Sequence, residues 1–212
     1  MFDKRLDQLL VEGPNDGAVL NQLLARHGID LREKTQQIVE AAGGFEACLD
    51  KLEIQVANRR FRRLGAVLDL DREQDRRWEH VRTRLRATGL PNVPNELPLE
   101  GCILQGLDEG SRVGVWFMPD NRTHGALEAF LETLIPDEDA VWPFARTSSA
   151  EAKRLGAPYR EVDTAKARLL TWLAWQDEPG KQYGQAVNAR ILGHDSSTAL
   201  AFVDWFRRLF VA

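Results

Sequence analysis

Leu6-Asp7-Gln8-Leu9-Leu10-Val11 runs directly into Glu12-Gly13-Pro14-Asn15-Asp16-Gly17, and this junction decides the fold. The first half reads as a short strand. The second half holds two glycines, a proline and an asparagine, which is the composition of a tight turn. Asn15 or Asp16 then caps a helix whose apolar residues Val19, Leu20, Leu23 and Leu24 recur at helical spacing, with Gly28 as its stop.

The same pattern repeats outward. Gln37 to Ala41 reads as a strand, Gly43-Gly44 as a turn and Phe45 to Val56 as a helix. Leu64 to Leu70 is a nearly continuous apolar run, suited to a strand covered on both faces, and it leads into an arginine-rich helix from about Arg72 to Ala87. Three strand–turn–helix units in succession predict an α/β fold, a mainly parallel sheet between two helical layers. Leu99 to Gln105 and Arg112 to Met118 read as two further strands joined by the turn Asp108-Glu109-Gly110. Helices are expected at Gly125 to Ile135, Thr164 to Trp175 and Ser197 to Phe210. The prolines at 91, 94 and 98 span too little chain for a linker. The expected organisation is therefore one domain over 1–212, with a core of about 6–135 and a helical C-terminal extension of about 136–212.

Composition narrows the function classes. Of the 212 residues, 43% are apolar and 28% charged, an ordinary globular balance. The charged start of the chain is unlike a signal peptide, and no run of about eighteen apolar residues is present to span a membrane. Cys48 and Cys102 stand apart in no metal-ligand spacing and read as reduced thiols, so a cytoplasmic location is expected. The net charge of −4 is unevenly spread. Residues 59–88 hold ten arginines and five acids, a local +5 that leaves −9 elsewhere. Arg59, Arg60, Arg62, Arg63, Arg76 and Arg77 are the candidates for gripping a polyanion; the other reading of this band is a solvated, ion-paired helix.

The residues best suited to chemistry are acidic. Glu12 sits where the first strand gives way to its helix, at the carboxyl edge where open parallel sheets bind ligands. Asp69 and Asp71 occupy the matching end of the third strand, and side chains two apart on a strand share a face. Together with Asp16, these carboxylates would repel one another unless neutralised. A hard divalent cation, Mg²⁺ or Mn²⁺, is the expected remedy. Serving a turn and a helix N-terminus is the other role open to Glu12 and Asp16.

Val11-Glu12-Gly13 with Asp16, the glycine pair Gly43-Gly44, and Leu68-Asp69-Leu70-Asp71 together resemble the Toprim domain of topoisomerases, bacterial primases and OLD-type nucleases. The resemblance covers roughly residues 6–90. It implies that Glu12, Asp69 and Asp71 hold a catalytic metal. The whole chain is similar to a small Toprim-related bacterial family of unknown function. That likeness rests on residues 114–121 (GVWFMPDN), 125–128 (GALE) and 172–176 (WLAWQ), with Pro179-Gly180. It implies a fold and a metal site but no activity. OLD-type nucleases also resemble this chain in an aspartate four residues after the first glutamate, which Asp16 matches. They carry a downstream lysine for which Lys166 is the candidate.

Further along the chain, Asp120 and Asn121 suit a turn or an approach to the acidic edge, and Glu128 is a candidate further ligand. Trp172 and Trp175 read as core, and the four histidines form no zinc or triad pattern. Asp69-Leu70-Asp71 also invites a haloacid-dehalogenase reading, but Glu73 stands where that pattern needs threonine. Gly13 to Gly17 lacks the lysine-serine/threonine of a P-loop. Tyr159 and Tyr183, the two tyrosines, lie far from the acids, which argues against a topoisomerase-type covalent intermediate.

Two functional readings follow. One is metal-dependent phosphodiester hydrolysis on DNA or RNA, with Glu12, Asp16, Asp69, Asp71 and Lys166 catalytic. The other is a non-catalytic metal- or nucleotide-binding module that works with a partner such as an ATPase.

Overall fold

The computed structural model describes residues 6–29, 31, 38–70 and 74–211. Five strands form one sheet: β1 (Leu6–Val11), β2 (Val39–Ala41), β3 (Phe61–Asp69), β4 (Cys102–Gln105) and β5 (Arg112–Met118). The α-helices are α1 (Pro14–Arg26), α2 (Phe45–Asn58), α3 (Gln74–Ala87), α4 (Leu127–Glu132), α5 (Val141–Arg154), α6 (Thr164–Leu173), α7 (Tyr183–Asn188) and α8 (Ser197–Phe210). A 3₁₀ turn, Glu161–Asp163, leads into α6.

Strand order is β2-β1-β3-β5-β4. β1 pairs in parallel with β2 and β3, and β3 in parallel with β5. β4 returns antiparallel on β5, as a hairpin closed by a short turn must. The strands alternate their side chains between two apolar layers. Leu10, Leu64, Ala66, Leu68, Val115 and Phe117 meet α2 and α3 on one face. Leu9, Val11, Val67, Trp116 and Met118 meet α1, α4 and the C-terminal helices on the other. This is a three-layer α/β/α arrangement, and it explains why the central strands are apolar at nearly every position.

The C-terminal helices belong to that second layer. α8 buries Phe202, Val203, Trp205, Phe206, Leu209 and Phe210, each large side chain contributing about 1.5–3 kcal/mol when removed from water. Its seat is a notch made by two glycines in register, Gly65 and Gly114. A Cβ on Gly114 would lie 2.5 Å from Leu209 Cδ2, so any larger residue there forces the Leu209 side chain to shift.

Several boundaries differ from the sequence expectation. The strand expected from Leu99 begins at Cys102, and Leu99 instead offers its carbonyl to Asn121 Nδ2 at 3.1 Å. The helix expected from Gly125 begins at Leu127, because Gly125 forms an antiparallel bridge with Leu70. The expected starts at Gln37 and Arg72 lie outside the described residues. Among the described residues, no helix is long and apolar enough to cross a membrane. Cys48 and Cys102 are free and buried, and burial pushes both thiols up to about 12.

Candidate functional site

The parallel ladder between β1 and β3 closes at Val11 and Val67. Just beyond it, Glu12 Oε1 accepts a hydrogen bond from the Asp69 backbone amide at 2.8 Å. Covalent geometry then keeps the Glu12 and Asp69 carboxylates within about 8 Å of each other. The Glu12 carbonyl accepts the amides of Gly43 and Gly44, at 3.0 and 2.9 Å. Both glycines have positive φ, 98° and 111°, which lets the backbone wrap over Glu12.

Asp16 lies in the first turn of α1 and is 8% exposed. Its Oδ2 accepts the Gly13 amide at 3.0 Å, which satisfies one of the helix's unpaired donors. Burial raises its pKa to about 6, with a smaller upward push from the charge of Glu128; the backbone hydrogen bonds oppose both. Glu128 stands in the first turn of α4. It reaches this edge because Leu70 and Gly125 exchange backbone hydrogen bonds of 2.9 and 2.7 Å, tying the exit of β3 to the loop before α4. Its Oε1 accepts from the Tyr183 phenol at 3.3 Å. Burial and the Glu128 carboxylate push that phenol's pKa up.

Cationic and polar side chains border the acids. Arg77 Nη1 lies 3.7 Å from Glu12 Oε1 and donates to the Asp69 carbonyl at 3.4 Å, while its guanidinium sits 4.0 Å over the Phe45 ring. A cleft of about 610 Å³ opens here, lined by Arg77, His124, Glu128, Glu161, Lys166 and Arg168 among others. A second cleft of about 210 Å³, lined by Asn15, Lys166, Lys181 and Tyr183, lies on the other side of Lys166.

Glu12, Asp16, Asp69, Glu128, Lys166 and Arg77 are thus gathered at one edge. Asp71 lies outside the described residues. Among the described residues, no three His, Cys, Asp or Glu side chains converge closely enough to hold a metal ion.

The remaining arginines do not join the acids as a single band. Arg62 and Arg63 lie near the amino end of β3, six or more residues before Asp69. At about 3.3 Å per residue that places them roughly 20 Å away, at the opposite edge of the sheet. Arg62 binds Asp7 with two hydrogen bonds of 3.1 and 2.6 Å, and Arg63 lies 3.8 Å from the same carboxylate. Arg59 closes α2 in a left-handed conformation and pairs with Asp108 at 3.6 Å. Arg60 is exposed beside it. Arg76, exposed, and Arg77, half-buried, lie in the first turn of α3, on the acidic side.

Of the remaining candidates, Asp120 and Trp172 hold expected places and Trp175 does not. Asp120 caps its own turn, accepting the amides of Arg122 and Thr123. Asn121 is buried and accepts the Phe117 amide at 2.7 Å. Trp172 is core and donates to Asp139 at 3.2 Å. Trp175 is not core: it is 45% exposed and stacks on Phe144, with centroids 5.4 Å apart. Tyr183 and His124, neither of which carries a motif, enter the site from elements distant in sequence.

These features define a three-layer α/β/α protein with carboxylates gathered at the carboxyl edge of its sheet. The chain belongs to the family described as "Protein of unknown function (DUF3226)", whose model matches residues 7–211. No curated protein and no solved structure matches it.

Proposed function

We propose that this chain carries a Toprim-like divalent-metal site and hydrolyses phosphodiester bonds in nucleic acid. The observation that carries this reading is the hydrogen bond from the Asp69 amide to the Glu12 carboxylate, which joins the first acidic residue to the acidic end of the third strand. The donor set suits a hard cation. It consists of carboxylates, and Asp16 is buried at a cost in its charged form that a nearby cation would offset. Glu12, Asp69 and Asp71 would hold Mg²⁺ or Mn²⁺, with Asp16 and Glu128 beside them. When bound, the ion would lower the pKa of a water and draw charge from the phosphate.

The chain's own residues have separable tasks. Lys166, exposed between the two clefts, offsets negative charge on the reacting phosphate. Tyr183 fixes the rotamer of Glu128. Arg77 neutralises Glu12 until a divalent ion takes over that role.

That last contact also favours a second reading, in which Arg77 permanently supplies the cation and the protein is a non-catalytic module for a partner such as an ATPase. One experiment separates the two. Titration calorimetry with Mn²⁺ should show binding to the wild type and none to Asp69→Asn or Asp71→Ala. Mn²⁺ with single- and double-stranded DNA and RNA should give cleavage that Asp71→Ala lowers about a thousandfold. Absence of Mn²⁺ binding overturns the metal reading. Binding without cleavage of any substrate turns the assignment to the interaction module.

A further inference from the structure

The cleft beside the acidic edge has a size and lining that restrict the substrate. Its volume of about 610 Å³ falls in the range of roughly 300–1,000 Å³ that encloses one small organic ligand. Arg77 from α3, His124 from the loop after β5, and Lys166 and Arg168 from α6 converge on it, against the acids Glu128 and Glu161. Lys166 is exposed, and it is shared with the adjoining cleft at Lys181 and Tyr183. Val162, 70% exposed, adds an apolar wall where an unstacked base or sugar can rest.

A duplex, by contrast, calls for a broad basic surface that follows two backbones. The arginines that would make one, Arg59, Arg62 and Arg63, stand at the far edge of the sheet and are engaged by Asp7 and Asp108. Among the described residues, the cations on the acidic side are the exposed Arg76 and the group Arg77, His124, Lys166 and Arg168 that lines the one cleft.

We infer that this cleft is a nucleotide subsite: it takes a single nucleoside phosphate unit, with its phosphate against Lys166 and His124 and its sugar or base against Val162. The substrate class is therefore an unpaired strand or a free nucleotide rather than intact duplex. This rests on the nucleic-acid reading above, yet it concerns binding and can be tested without metal or turnover. The chemistry of a mononucleotide and of one unit in a single strand is the same here, so the probes must tell them apart.

The test is equilibrium binding in chelator, by fluorescence anisotropy, of a labelled single-stranded oligonucleotide and of the same sequence as a blunt duplex. Thymidine 5′-monophosphate is added as competitor. The single strand should bind more tightly than the duplex. Lys166→Glu should weaken it about tenfold and flatten its salt dependence, as loss of a phosphate contact does. Glu161→Gln, which removes an opposing charge at an exposed position, should tighten it. Displacement by the mononucleotide identifies a one-nucleotide site, and displacement only by longer strands identifies a strand track through both clefts; either outcome supports the subsite. Tighter binding of duplex, no measurable binding of the strand, or the same affinity in both folded variants overturns it. Mn²⁺ calorimetry on the same samples reports separately on the metal reading, so either can fail alone.

Discussion

Arg77 and Glu12 face each other at 3.7 Å across the carboxyl edge, so the protein places one positive charge of its own where its acids gather. A divalent ion binding there has to compete with that guanidinium. Arg77→Gln should therefore bind Mn²⁺ several-fold more tightly than the wild type. It should also lose about 1 kcal/mol of stability through the broken ion pair and the lost contact with Phe45. Calorimetry and thermal melting measure the two effects. Unchanged Mn²⁺ affinity would mean that the ion and Arg77 do not share Glu12.

Asp16 makes stability depend on pH in an unusual direction. Its folded pKa, about 6, lies above the ordinary aspartate value of 3.8. Between these values the native state holds a proton that the unfolded chain has released, so stability falls as pH rises through this window. A shift of this size corresponds to about 3 kcal/mol, absent below pH 4 and fully present above pH 6. Without metal, Asp16→Asn should be more stable than the wild type at pH 7 by about 2–3 kcal/mol, and should lose that advantage by pH 4. Urea unfolding at the two pH values decides the point; a pH-independent difference would assign the effect to packing instead.

The two groups of arginines should behave differently. Charge reversal at Arg62 leaves Asp7, whose side chain is only 8% exposed, beside a new negative charge. It should lower the melting temperature and leave metal-dependent cleavage intact. Reversal at Arg76, exposed on the acidic side, should reduce the salt slope of oligonucleotide binding by about one. If Arg62→Glu abolishes binding at full stability, the opposite edge of the sheet is part of the interface after all.

The glycine notch under α8 yields a stability test that does not involve the site. Gly114→Ala should cost about 1–3 kcal/mol, since its Cβ would meet Leu209 at 2.5 Å. Trimming Leu209 to Ala in the same chain should recover part of that loss. Denaturant midpoints of the single and double variants reveal the coupling. Simple additivity would show that α8 does not rest in the notch.

Much of this architecture was legible in the sequence because it depends on short-range pattern. Leu6–Val11, Arg112–Met118 and Ser197–Phe210 fall at their expected bounds, where alternation or helical spacing is clean. α5 was not foreseen. Its apolar residues crowd the first turn around Pro143, and only Ala145 and Ser149 are buried. α7, six residues long, is too short to show a period. Strand order was also hidden, because periodicity marks which side of a strand is buried and not which strand lies beside it. The same limit applies to the site. Glu12 and Asp69 announce themselves by ending strands, whereas Tyr183 reaches Glu128 across 55 residues and carries no local signature.

The bridge between Leu70 and Gly125 has a mechanical consequence. It rivets the segment that delivers Asp69 to the segment that delivers Glu128, so these two banks of the groove are tied together. The opposite bank, α6 with Lys166, is held to α4 by side-chain packing instead, through the buried Leu169, Trp172 and Leu173. A strand entering the groove would therefore meet a fixed anvil on the sheet side.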